Sequence, residues 1–196
     1  GDRGKPQNQT KEGDNVKNEL PKRKNIRIPK YDYSQIGMYF ITICTENRRK
    51  ILSDIVLENA TYMQMGKKVI GESVKLNLTN IGNLINEKYI NIENEFKNVK
   101  LHDYLIMPNH IHGIIEIVER VDTGPTPTIS DIICSFKTRT THEISIGVKE
   151  RKYKAYQKRF WQRNYYEHVI WNEKEYLRIL EHIQYNPLNW IYDKYY

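Results

Sequence analysis

The stretch Tyr104-Leu105-Ile106-Met107-Pro108-Asn109-His110-Ile111-His112-Gly113-Ile114-Ile115-Glu116-Ile117 sets two hydrophobic runs on either side of a Pro-Asn pair. Pro-Asn favours a tight turn, so Val99–Met107 and the isoleucine-rich run after Pro108 are predicted to form an antiparallel hairpin. Residues two apart on a strand share a face. His110 and His112 therefore project side by side, as two ligands of one ion would, while Ile111 anchors the other face. Six histidines in 196 residues give about 0.2 such doublets by chance. Spacing alone thus leaves two readings open: a metal-binding pair, or two polar residues on the wet face of a strand.

Outward from this hairpin the chain alternates strand and helix signals. Met38–Thr45 is β-branched and aromatic and predicts a central strand. Ile51–Glu58, Tyr62–Gln64 and Val74–Leu78 predict short strands, with a turn over Gly66–Gly71. Thr79 can cap a helix from Asn80 to about Glu95, with Ile81, Leu84, Ile85, Lys88, Tyr89 and Ile92 along one stripe. After the loop Asp122–Thr128, a helix is expected from Ile129 or Ser130 to about Glu143. Glu150–Arg159 reads as a basic connector and Tyr165–Ile170 as a strand. Asn172 caps a last helix from Glu173 to about Tyr185, which Pro187 is expected to end. The aromatic stretch Leu188–Tyr196 is expected to pack back on the body. This order predicts an α+β fold: an antiparallel sheet with helices packed mainly on one face, of the split βαβ or ferredoxin-like kind.

Composition narrows the partners. The net charge is +7 and the pI about 9.2, which suits a polyanion such as nucleic acid. Tyrosine and tryptophan rings serve either as core or as stacking platforms for bases. Residues 1–24 form a polar, basic tail with too few apolar side chains to fold, and 25–196 form one domain. The basic segment Pro21–Lys30 reads equally as a nucleic-acid arm or a solvated tail. Cys44 and Cys134 lack metal-type spacing and read as buried, reduced thiols. With no apolar run long enough to span a membrane and no visible signal peptide, a cytoplasmic protein is expected, with no membrane partner.

Four separated motifs carry a resemblance: Tyr31–Lys50 (YDYSQIGMYFITICTENRRK), MPNHIHGII, Phe160–Ile170 (FWQRNYYEHVI) and Tyr185–Trp190 (YNPLNW). Together they resemble the REP-associated tyrosine transposases, members of the HUH single-strand nucleases, over about Asn25 to the C-terminus. The resemblance implies a ferredoxin-like HUH nuclease fold and a divalent ion, Mg²⁺ or Mn²⁺, on His110, His112 and a third ligand best placed at Asn186. It implies cutting and rejoining of single-stranded or hairpin DNA: a tyrosine of the last helix attacks a phosphodiester, leaving a 5′-phosphotyrosine link and a free 3′-hydroxyl. It leaves open a monomer or a homodimer. Such an ion neutralises charge developing on the phosphate, and a phenol both attacks and leaves readily.

This chain departs from the pattern where the resemblance puts the tyrosine, four residues before Asn186. That position is His182. Three explanations stand side by side: a relative that binds structured DNA without cutting it; Tyr185 substituting from about 60° around the helix; or His182 acting itself, as nucleophile, base or metal ligand. The candidate catalytic residues are therefore His182 and Tyr185. Arg48, Arg49, Lys137, Arg139 and Arg163 are candidate phosphate contacts, although a solvated charge is the ordinary reading of each and only Arg163 sits inside a family motif. Trp161 and Gln162 read as core or as a base-contacting pair. His102, Asp103 and His168 read as surface or structural residues, and Glu116 lies too far along its strand to share the ion. A structural zinc site on His110 and His112 lacks cysteine ligands in suitable places.

Overall fold

The computed structural model describes residues 32–58, 61–62, 69–70, 73–119 and 125–192. The expected N-terminal tail, most of the Gly66–Gly71 turn, the start of the Asp122–Thr128 loop and the last four residues lie outside that set. Four strands make the main sheet: β1 (Gly37–Cys44), β6 (Val99–Ile106), β7 (His110–Ile117) and β8 (Tyr166–Ile170). Their order is β6-β7-β1-β8, with every neighbouring pair antiparallel. Two interleaved split βαβ units produce this order, because β1 and β6 flank β7 while β7 and β8 flank β1. The expected α+β, ferredoxin-like arrangement is the one found.

Between β1 and the first helix the chain makes a ribbon. β2 (Ser53–Glu58) pairs with β5 (Ser73–Leu78), and β3 (Thr61–Tyr62) pairs with β4 (Val69–Ile70). Val69–Ile70 thus belongs to a strand where the sequence suggested only a turn. Thr79 caps α1 (Asn80–Ile90), its side chain accepting from the Gly82 N–H. The single helix expected to Glu95 is broken at Asn91, and α2 (Ile92–Glu95) follows as one turn.

Strand alternation sorts the side chains onto two faces. Tyr39, Ile41, Ile43, Ile111, Ile115, Ile117 and Val169 are buried together against Ile85 and Tyr89 of α1 and Ile132, Ile133 and Phe136 of α3 (Ile129–Lys149). The opposite residues Phe40, Ile114 and Ile170 pack against Ile179 and Ile183 of α4 (Glu173–Tyr192). Each such aliphatic side chain contributes about 1.5–3 kcal/mol by leaving water. Two long helices cover one face and one covers the other. His110 and His112 share the face of Ile114, so they lie beneath α4.

Two helix ends differ from expectation. α3 runs to Lys149 rather than Glu143, starting from a full capping box between Thr128 and Asp131. α4 does not stop at Pro187 but carries it inside the helix as far as Tyr192. Proline removes one N–H donor and normally breaks a helix. Here Pro187 is buried, and beyond it Trp190 lies tilted over His110, ring centroids 5.9 Å apart, with the Lys50 ammonium 5.6 Å from the indole centre. Packing keeps the last turns helical. Of the aromatic stretch Leu188–Tyr196, Trp190 packs on the body as part of α4, and 193–196 lie outside the described residues.

Candidate metal and nucleic-acid site

β7 begins with His110, opposite Cys44 in the ladder, and His112 stands opposite Thr42. Both imidazoles are buried, 3% and 7% exposed. Their Nε2 atoms face each other at 3.0 Å. Each Nδ1 is engaged on the far side of its ring: His110 with Asn109 Oδ1 at 2.7 Å, and His112 with Thr42 Oγ1 at 2.9 Å.

The His110 contact sets its tautomer. Asn109 Nδ2 donates to the Arg48 carbonyl at 3.3 Å, so Asn109 turns its oxygen toward His110. His110 Nδ1 must then carry the proton, which leaves a bare lone pair on Nε2. The Arg48 carbonyl comes from a short 3-10 turn after β1, in which Asn47 and Arg48 both hold left-handed backbone, φ 55° and 49°. Asparagine enters that conformation readily, but a residue such as Arg48 does so only where its surroundings impose it. Thr42 and Asn109 are thus the groups behind the histidines that orient them, the arrangement metal-binding imidazoles require.

Both histidines stay neutral. Burial first, then the positive field of Arg48 and the neighbouring His182, holds His110 down to about 4. His112 is held down to about 2 by burial, then by His110, His182 and Arg48. Two neutral imidazoles whose Nε2 atoms stand 3.0 Å apart have the spacing of two ligands of one cation, once His112 as well as His110 presents its Nε2 lone pair. Ligands about 2.1 Å from one ion and at right angles stand about 3.0 Å apart.

α4 brings the third group. The Asn186 amide lies 3.3 Å from His112 Nε2 through Nδ2, and a half-turn of the amide offers Oδ1 at the same place. His182, one turn earlier, sets its ring 5.2 Å from that of His112 and edge-on to Phe40 at 6.1 Å. Phe40 stacks on His112 at 5.3 Å, so it touches the rings of both His112 and His182. Beside His182 opens a cleft of about 270 Å³ walled by Phe40, Tyr166, His168, Arg178 and Ile179. Tyr185 is 53% exposed. Among the described residues, no three His, Cys, Asp or Glu side chains gather as a metal site; the trio is completed by an amide. Two imidazoles and an amide oxygen, with other positions left to water or phosphate, fit a Mg²⁺- or Mn²⁺-type ion.

The other candidates separate cleanly. Arg49 is held inside the fold: Nε donates to Glu46 O at 3.1 Å, Nη2 to the carbonyls of Arg159 and Phe160 at 2.9 and 3.3 Å, and the guanidinium lies over the rings of Tyr156 and Phe160. Lys137 Nζ donates to the carbonyls of Gln162 and Arg163 at 2.6 and 3.2 Å, and Arg139 pairs with Glu95. Arg49, Lys137 and Arg139, expected as phosphate contacts, each hold a partner within the fold. Arg163 is exposed, and Arg48 stands beside the histidines.

Trp161 is core, 4% exposed, its Nε1 donating to Thr140 Oγ1. His102 pairs with Glu116 at 2.8 Å across a bulge between Leu101 and Tyr104, and His168 pairs with Glu175 at 2.6 Å. Cys134 of α3 is exposed, contrary to the expectation of a buried thiol, while Cys44 is half-buried. Sequence reasoning missed Thr42, Asn109, Phe40 and Trp190. Only Asn109 left a signal, by preceding His110 in the turn.

Comparison with known proteins follows this geometry. Residues 34–186 match the family described as Transposase IS200 like. An uncharacterised protein of Haemophilus influenzae is 33% identical over 190 residues, covering 89% of this chain and 93% of its own. A second protein of the same organism, assigned provisionally to the REP-associated tyrosine transposases, is 24% identical over 162 residues, 80% of this chain and 73% of its own. The solved structure of a REP-associated tyrosine transposase bound to a REP hairpin superposes with a TM-score of 0.55 at 20% identity, over 83% of this chain and 73% of that one. No helix among the described residues is long and apolar enough to cross a membrane.

Proposed function

The chain belongs to the IS200-like transposase family, and on that footing we propose that it processes single-stranded or hairpin DNA with a divalent ion, Mg²⁺ or Mn²⁺, held by His110, His112 and Asn186. The observation that carries this reading is the facing pair of His Nε2 atoms at 3.0 Å with the Asn186 amide 3.3 Å from one of them. Bound there, such an ion supplies charge to a phosphodiester at the point where the transition state gains it. Thr42 and Asn109 orient the imidazoles, and burial keeps them unprotonated at any pH near neutral. Phe40 and Trp190 screen the pair from solvent on two sides.

Of the two candidate attacking residues, His182 is the one whose ring lies against His112. It serves as a base: it takes the proton of a water whose oxygen attacks phosphorus. The P–O3′ bond breaks, giving a 5′-phosphate and a 3′-oxygen that takes a proton from solvent. In this reading the histidine at the tyrosine position turns strand transfer into hydrolysis. A second reading keeps DNA binding and drops cutting, and it is favoured by the same substitution of His182 for a phenol. Incubating the protein with an end-labelled hairpin carrying a single-stranded flank, with Mn²⁺ or with EDTA, separates them. Mn²⁺-dependent nicking that His112→Gln abolishes supports the nuclease. Retention of the hairpin without nicking at any metal concentration leaves the binder. A covalent protein–DNA adduct that survives His182→Ala but not Tyr185→Phe would assign the attack to Tyr185 instead.

A further inference from the structure

We propose, on the footing of the hydrolytic reading above, that the cleft beside His182 receives the terminal 5′-phosphate which hydrolysis leaves on DNA, with Arg178 as the residue that grips it. The cleft measures about 270 Å³ and is walled by Phe40, Tyr166, His168, Arg178, Ile179 and His182. Phe40 and Ile179 close its back and are buried, while Tyr166, Arg178 and His182 are exposed. Among the described residues no Asp or Glu lines it. Glu175 stands just outside, where its carboxylate accepts from the Trp171 N–H at 2.9 Å and from His168 Nε2 at 2.6 Å. Arg178 Nη2 stays 3.8 Å from that carboxylate, beyond hydrogen-bond distance, so Glu175 takes none of its donors.

Place and size choose the ligand. Arg178, His182 and Asn186 recur every four residues of α4, so they share a face, about 6 Å apart along the axis. His182 therefore stands between the Asn186 amide and the guanidinium. In the hydrolysis, the water oxygen joins phosphorus on the His182 side and stays there as a phosphate oxygen once the P–O3′ bond has broken. The strand end is then a monoester with three acceptor oxygens and a charge of about −1.5 to −2, where the intact diester carried a single charge. A guanidinium fork, a phenol hydroxyl and an imidazole around one mouth match that added charge and oxygen. The cleft is smaller than the roughly 300–1,000 Å³ of sites that enclose a whole small ligand, so it admits a phosphate with part of its sugar and excludes the base.

The test needs no cutting. The full chain is kept in EDTA, and its affinity is measured at fixed salt for one hairpin with a short 5′ single-stranded flank. The hairpin is used in three forms: 5′-phosphorylated, 3′-phosphorylated and unphosphorylated. The 5′-phosphate is expected to tighten binding about tenfold over the unphosphorylated form, and the 3′-phosphate to change it by less than about twofold. Arg178→Gln, at a side chain 75% exposed, is expected to collapse the gain to about one. Lys152→Gln, which removes the same charge from the exposed connector after α3, is expected to leave the gain whole. Equal gains from both phosphates, no gain from either, a gain that survives Arg178→Gln or one lost equally in Lys152→Gln would each overturn the proposal. Its failure is distinct from failure of the nuclease reading: Mn²⁺-dependent nicking without a 5′-phosphate preference removes the receiving cleft alone, and the preference without nicking removes the nuclease alone.

Discussion

Replacing Gly113 with alanine tests how tightly the histidine strand is pressed against the helical layer. A Cβ at Gly113 would stand 2.1 Å from the Tyr89 hydroxyl, 3.0 Å from Tyr89 Cζ and 3.3 Å from Tyr104 Cβ. Tyr89 has nowhere simple to go. It is fully buried, 4.7 Å from the ring of Tyr104 and 5.7 Å from that of Phe136, and its hydroxyl has no hydrogen-bond partner among the described residues. Relieving the contact needs a displacement of over an ångström, and overpacking of that kind costs about 1–3 kcal/mol. Removing the hydroxyl changes the sum. In a Tyr89→Phe background the nearest remaining contact is Cζ at 3.0 Å, which a shift of a few tenths of an ångström relieves, so the alanine should cost about 1 kcal/mol. Tyr89→Phe alone should leave stability within about 1 kcal/mol of the parent, since the lost group is unpaired. Urea unfolding of the four proteins closes a double-mutant cycle with an expected coupling of about 1–2 kcal/mol. An equal cost of Gly113→Ala in both backgrounds would refute the reasoning, as would a Tyr89→Phe loss above about 2 kcal/mol.

Four further outcomes are expected. Because the folded state holds His110 and His112 well below the unfolded value near 6.5, it binds fewer protons than the unfolded chain, so stability is complete above pH 6.5 and lost as pH falls from there. At pH 5 the loss should be about 2 kcal/mol per histidine, and urea midpoints between pH 5 and 8 that fail to flatten in His110→Gln and His112→Gln would contradict it. Asn109→Ala should lower Mn²⁺ affinity about 10–100-fold in calorimetry by releasing the His110 tautomer, and an unchanged affinity would deny it that role. Arg49→Ala and Arg49→Lys should both destabilise by about 1–3 kcal/mol, since an ammonium cannot span the carbonyls and rings the guanidinium holds, whereas Arg163→Ala should stay within about 0.5 kcal/mol. His182→Tyr should produce a protein–hairpin adduct stable on a denaturing gel if the rest of the site is competent, and its absence in Mn²⁺ would show that the scaffold has lost more than its phenol.

The sheet was legible in the sequence because alternation is a local signal. Met38–Thr45 and the run after Pro108 are covered on both faces, and isoleucine marks the face toward α1 and α3 at alternate positions. The His110–His112 pair follows from the same two-residue period. The groups that orient the pair do not, because they are tertiary. Thr42 reaches His112 only through the β1–β7 register, 70 residues away in sequence, and Asn186 reaches it across 74. The helix ends failed for a related reason. Pro187 is a strong local breaker, yet packing around Trp190 overrides it. Nothing local in Arg49 or Lys137 tells a structural cation from a DNA-binding one; the answer lies in carbonyls 25 to 111 residues distant.

The ladder order has a kinetic consequence. β6 and β7 are joined by a tight turn, so the hairpin holding both imidazoles is low in contact order and able to form early. β1 lies at the centre of the sheet but must wait for two distant partners, β7 and β8, before its edges close. Loop-closure entropy for such pairings has to be met before they stabilise anything, which slows the final step. The folding barrier should therefore sit on the arrival of β1, with the imidazole hairpin structured in the transition state and the Asn186 helix docking after it.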